Sequence, residues 1–131
     1  MKAIRGYLIL LFTTVAVNGC IPTTSKSFSI APRPDPLSDV QALEQLCRDL
    51  GLTRVTPIGP PEPPKGAVGC DSAPYRGYFI VFSPEIENKK IDVYFAERAH
   101  AFSDDAKAAY SNLVRGLKKQ FGDAAINAPT I

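Results

Sequence analysis

Cys20, Cys47, Cys70 and His100 are the only thiols and the only imidazole in a chain of 131 residues, and their spacing limits the chemistry open to them. A structural zinc site takes four nitrogen or sulfur ligands, usually as close-spaced pairs. Isolated cysteines and one distant histidine do not supply that set, so no metal and no cofactor is expected. In "ERAHAFSDD" a sharper chemistry would make His100 a general base supported by Asp104 or Asp105. His100 and Asp104 share a helical face only if the helix begins before Ser103, and Ser103 is itself a good N-cap. A solvated loop histidine is the expectation. Glu85 and Glu87 flank a turn, and the Asp104–Asp105 pair suits the first turn of a helix, where the dipole favours negative charge. The chain holds no G-x-S-x-G elbow, no H-E-x-x-H and no glycine-rich phosphate loop. No catalytic residue is assigned, and an enzyme built on His100 stays as the lesser alternative.

Cys20 is explained by what precedes it. "MKAIRG" brings Lys2 and Arg5 without an acid, "YLILLFTTVAV" is an apolar run, and Asn18, Gly19 and Cys20 follow. That is the layout of a secretory signal peptide, and the run is about half the roughly 20 residues a membrane-spanning helix needs. "VNGC" resembles the lipobox of bacterial lipoproteins: Val17, Gly19 and Cys20 match it, while Asn18 stands where Ala, Ser or Thr is more usual. The resemblance covers residues 1–20 and implies cleavage before Cys20, which would carry a diacylglyceryl thioether and an amide-linked acyl chain such as palmitate. Two or more such chains give stable anchoring, at about 0.8 kcal/mol per buried methylene. Ile21, which is not Asp, resembles outer-membrane cargo. The implied location is the cell envelope, lipid-anchored in the outer membrane and facing the periplasm.

Of the 15 basic residues, Lys2 and Arg5 lie in the leader, which leaves 13 against 13 acidic. A neutral domain without basic runs offers no electrostatic footprint for nucleic acid and no polybasic patch for anionic lipid. With Cys20 lipidated, an even pair of thiols remains in an exported chain, and Cys47 and Cys70 are expected to form a disulfide. Closing a loop of roughly two dozen residues adds about 3 kcal/mol in the chain-entropy account.

Four segments follow. Residues 1–19 form the signal peptide. Residues 20–36 hold the lipidated Cys and "IPTTSKSFSIAPRPDP", whose Pro, Ser and Thr content reads as a linker. Residues 37–122 form the domain, and 123–131, "DAAINAPTI", a loose tail. Within the domain, Ser38 and Gln41 make a capping box, Val40, Leu43, Leu46, Cys47 and Leu50 recur at helical spacing, and Gly51 stops the helix. "LTRVT" reads as a short strand ended by Pro57. The loop "PIGPPEPPKGAVGCD" is either a stiff connector tied down by Cys70 or a polyproline ligand presenting Pro60, Pro61, Pro63 and Pro64. "YRGYFIVFS" reads as a central strand, with Tyr78, Ile80 and Phe82 on one face and Phe79 and Val81 on the other. "IDVYFAE" alternates as a half-wet strand with Asp92 and Tyr94 outward. A second helix runs from its Ser103 cap to Gly122, with Ala106, Ala109, Tyr110, Leu113, Val114, Leu117 and Phe121 on its apolar stripe. Gly116 inside it costs about 1 kcal/mol relative to Ala and suggests a close approach to the sheet.

These elements predict an α+β fold: a small two-layer sandwich whose antiparallel sheet of about three strands carries two helices on one face. Such a sheet leaves one set of central-strand side chains without cover. Phe79 and Val81, or Tyr78, Ile80 and Phe82, would join Asp92 and Tyr94 in a mixed aromatic and polar patch. The expected function is a membrane-anchored, non-enzymatic protein-binding module: an accessory subunit of an envelope assembly or an immunity-type inhibitor. Its partners are the membrane through Cys20, and an envelope protein or a second copy. A binder of small ligands or lipid is the alternative.

Overall fold

Nine large apolar side chains at alternating positions (Phe28, Ile30, Val68, Cys70, Ile80, Phe82, Ile91, Val93 and Phe95) are all buried and share one side of a five-stranded sheet. The computed structural model describes residues 22–57, 63–73 and 76–131. Cys20, the lipobox and the signal peptide lie outside the described residues, as do Pro60 and Pro61. The strands are β1 (Thr24–Ile30), β2 (Thr53–Val55), β3 (Val68–Ala73), β4 (Arg76–Glu85) and β5 (Lys90–Glu97), in the order β1-β5-β4-β3-β2. Every neighbouring pair is antiparallel. Helix α1 spans Val40–Asp49 and α2 spans Asp104–Phe121. Cys47 of α1 meets Cys70 of β3, and Tyr110 of α2 meets both Phe28 and Phe95. Both helices therefore cover the same face of the sheet.

The sheet has five strands rather than about three, because two segments of irregular composition are strands. Thr24–Ile30 falls inside the expected linker 20–36, yet it pairs with β5 along its whole length, Thr24 opposite Glu97 and Ile30 opposite Ile91. Its alternation is real but thin: Phe28 and Ile30 are the only large apolar residues, and the serines between them have the composition of a spacer. Val68–Ala73 begins inside the expected loop and runs two residues past it. Gly69 hides its pattern, and a Cβ there would crowd the Val55 carbonyl oxygen at 3.0 Å. Cys70 thus bridges from a strand, not from a loop. Exposed Pro63 and Pro64 lead into it.

The helix ends differ in how far they follow expectation. Ser103 caps α2 as expected, its hydroxyl accepting from the Ala106 amide at 3.1 Å. No Ser38–Gln41 capping box forms. Asp35 instead caps a 3-10 turn, Pro36–Asp39, which runs straight into α1, and Ser38 donates its hydroxyl to the Asp35 carbonyl. The tail is not loose: Asp123–Ala125 forms another 3-10 turn, buried Ile126 bridges to Ile30, and Tyr110 donates its hydroxyl to the Pro129 carbonyl at 2.6 Å.

Two contacts set the helices against each other. Arg33 grips Asp39 with two hydrogen bonds of 2.8 and 2.9 Å while its guanidinium lies over the Phe121 ring at 4.9 Å. The start of α1 is thereby tied to the end of α2, so the helices run antiparallel. A Cβ on Gly116 would lie 2.6 Å from a Leu46 methyl, and the close approach this glycine permits is to α1, not to the sheet. Cys47 and Cys70, with Cα atoms 6.1 Å apart, join α1 to the sheet beneath it. No helix among the described residues is long and apolar enough to cross a membrane.

Candidate functional site

Strand parity decides what the uncovered face presents. With Ile80 and Phe82 turned into the core, Phe79, Val81 and Ser83 of β4 point the other way, and the register sets Tyr94 beside Val81 and Asp92 beside Ser83. Of the two sets left open by the sequence, Phe79 and Val81 are on the uncovered face, and Tyr78, Ile80 and Phe82 are under the helices. Phe79 and Tyr94 form a tilted aromatic pair with centroids 5.9 Å apart. Both are half-buried, as are Val81 and Asp92. With Val55 and Pro57 from the β2 side, Phe79, Val81 and Tyr94 line a depression of about 790 Å³.

Arg98 and Asp71 complete that depression. The Arg98 guanidinium lies 4.6 Å from the Phe79 ring centre and 3.4 Å from an Asp71 carboxylate oxygen. Asp71, whose side chain is only 6% exposed, also accepts the Ala73 amide at 3.3 Å. A planar cation stacked on an aromatic ring and oriented by a buried acid resembles the Arg-plus-aromatic anchors common in protein interfaces. The sequence reading missed both residues. Arg98 had a signal, because it continues the outward parity of Asp92 and Tyr94 one residue past the strand end. Asp71 had none while β3 went unrecognised.

Toward β1 the face turns polar. Ser27, Ser29, Ser83 and Asp92, with Tyr94, line an adjoining depression of about 390 Å³. Ser29 donates its hydroxyl to Asp92 at 2.7 Å, and Lys90 sits 3.5 Å from both Asp92 and Glu85. Those carboxylates, Asp92 foremost, raise the Lys90 pKa. The result is an aromatic half beside a half of small hydroxyls and charges.

His100 lies exposed in the bend after β5 and lines neither depression. Asp104 and Asp105 occupy the first turn of α2, and Glu85 is engaged by Lys90 and by the Asn88 amide. Among the described residues no group of three or more His, Cys, Asp or Glu is placed to hold a metal ion. On the other side of the sheet a groove of about 790 Å³ runs between α1 and α2, with Leu46 and Leu50 on one wall, Asn112 and Gly116 on the other, and Tyr78 at its base. In comparisons with known proteins no family matches the chain, and neither a curated protein nor a solved structure does.

Proposed function

We propose that this protein is an envelope lipoprotein, anchored through lipid on Cys20 in the outer membrane and facing the periplasm, whose α+β domain is a non-enzymatic module that docks a partner protein on its uncovered sheet face. The observation that carries the docking half is the Phe79, Tyr94 and Arg98 constellation: aromatic rings and a stacked guanidinium, half-buried on a face that no third layer covers among the described residues. Lone exposed apolar residues are ordinary, whereas contiguous aromatic and arginine patches are where binding energy concentrates. The anchoring half rests on the lipobox resemblance. Only three residues separate Cys20 from Thr24, and the four steps between them, at roughly 3.5 Å each, reach about 14 Å. A domain so tethered works close to the lipid surface.

Replacing Phe79, Val81 and Tyr94 together with Ser tests the docking half. Thermal unfolding should change little while crosslinked partner is no longer recovered from detergent-solubilised membranes. A large drop in melting temperature would show instead that the face is core. For the anchor, Cys20→Ser should release the domain from membranes, and inhibition of the lipoprotein signal peptidase should leave a slower-migrating precursor. Wild-type protein that needs no detergent and carries an unmodified N-terminal peptide contradicts it. A second reading, a small-ligand binder, is favoured by the groove between α1 and α2 with its base at Tyr78.

A further inference from the structure

The free edge of the sheet is specified to the individual amide. Arg98 donates its amide to the Gly77 carbonyl at 3.1 Å in the β4–β5 register, where Tyr78 faces Glu97. In an antiparallel ladder both polar groups of a residue point to the same neighbour and alternate along the strand. Residues 92, 94, 96 and 98 of the β5 line therefore bond toward β4, and 91, 93, 95 and 97 toward β1. Their partners Thr24, Lys26, Phe28 and Ile30 turn their backbone groups inward, which leaves the amides and carbonyls of Ser25, Ser27 and Ser29 facing outward. The chain's own tail takes the far end of that edge, where Ile126 bridges to Ile30. Among the described residues nothing pairs with the outward side of Ser25 or Ser27, both of them exposed. The opposite edge, β2, is three residues long and makes a poor template.

We infer that the Thr24–Ser27 edge of β1 receives an extended segment of the partner protein as a sixth, antiparallel strand, with an acidic residue opposite Lys26; the inference rests on the protein-binding reading above. Main-chain pairing at an open edge is an established mode of peptide capture. Lys26 selects the occupant. It makes no ion pair among the described residues, and it lies between Ser25 and Ser27 at a non-hydrogen-bonded position, where facing side chains come closest. A second copy of the chain fits badly. Antiparallel pairing centred on Lys26 sets Lys26 against Lys26, a like-charge pair, and pairing centred on Ser27 carries Thr24 of one copy onto the Ile30 position that Ile126 already holds in the other. A lysine on an edge strand blocks self-association, and the same charge attracts an acid. The incoming strand would flank Ser27, whose small side chain lines the polar depression beside Tyr94, so edge and face adjoin.

The test uses the full chain in detergent and a capped heptapeptide of alternating threonine and valine with glutamate at its centre, together with glutamine and lysine versions. Hydrogen exchange should slow at the Ser25 and Ser27 amides when the glutamate peptide is added, and not at Lys26 or Phe28, which are already bonded to β5. The lysine peptide should bind about fivefold more weakly or worse. Lys26→Glu, which leaves the backbone untouched, should reverse that preference, and Ser27→Pro should abolish protection. Binding without protection of Ser25 and Ser27, no protection at millimolar peptide, or equal affinity for glutamate and lysine peptides would overturn the inference. So would a wild-type dimer in which those amides are protected without peptide. If Tyr94→Ser abolishes partner recovery and Lys26→Glu does not, the edge inference fails and the docking face stands. The opposite pattern leaves the edge and removes the face.

Discussion

The buried carboxylate of Glu97 takes both the amide and the hydroxyl of Ser103, each at 2.6 Å. Because the Ser103 hydroxyl in turn accepts the Ala106 amide, the end of β5 is coupled to the first turn of α2 by one short chain of charge-assisted hydrogen bonds. Glu97→Ala removes the acceptor and leaves two donors to find water. A loss of about 2 kcal/mol is expected, read by urea unfolding. Ser103→Ala should lose about 1 kcal/mol as a cap, and the double variant should lose less than the two added, since they share one network.

Cys47 and Cys70 close 23 positions of sequence, and both are fully buried. Removing the crosslink by Cys47→Ala with Cys70→Ala should lower stability by about 3 kcal/mol on loop entropy. Mass spectrometry of unreduced protein should show the two peptides joined; two freely alkylated thiols in protein taken from cells without reductant would contradict this.

Gly116 faces a Leu46 methyl rather than backbone, and Leu46 borders the inter-helix groove into which that methyl can turn. Gly116→Ala gains about 1 kcal/mol of helix propensity against a small displacement of Leu46. Its net effect should stay within about 1 kcal/mol. Gly116→Leu has no such escape and should lose more than about 2 kcal/mol by overpacking. Melting temperatures of the two variants decide between a tolerant and a rigid contact.

Tyr110 has its pKa raised above the ordinary 10.0 by burial, and its hydroxyl holds the tail through Pro129. A raised folded value means that the folded state holds the proton more tightly. The associated stability is complete below about pH 10 and is lost as the pH climbs through the raised value. Wild-type protein should therefore lose more stability than Tyr110→Phe between pH 9 and 11. Parallel unfolding curves for the two proteins across that range would be the contrary result.

The long strands and both helices were legible in the sequence because each carries a strong period: alternation in "IDVYFAE", three-and-four spacing in both helices, and a serine cap at residue 103. β1 and β3 were not. Each contributes only two large buried side chains, and each is a strand because a neighbour supplies its hydrogen-bond partners. The site divided along the same line. Phe79, Val81, Asp92 and Tyr94 could be placed by parity within single strands, whereas Asp71, Val55 and the serines of β1 reach the same surface only through pairings that no local pattern encodes. The tail was misread for a similar reason, since Ile126 and Pro129 find their partners at Ile30 and Tyr110, far away in sequence.

The position of β1 also orders the folding reaction. β3, β4 and β5 follow one another closely in sequence, so their contacts close small loops, while β1 must wait for a partner more than sixty residues downstream, as Ile30 does for Ile91. Loop closure of that span is entropically slow. The nucleus should form around the β3–β4–β5 meander and α2, with β1 and the Ile126 bridge docking after the barrier is crossed. Substitutions such as Phe28→Ala would then hasten unfolding far more than they slow folding, and a chain emerging from its amino end would hold β1 unpaired until β5, past every other strand, had arrived.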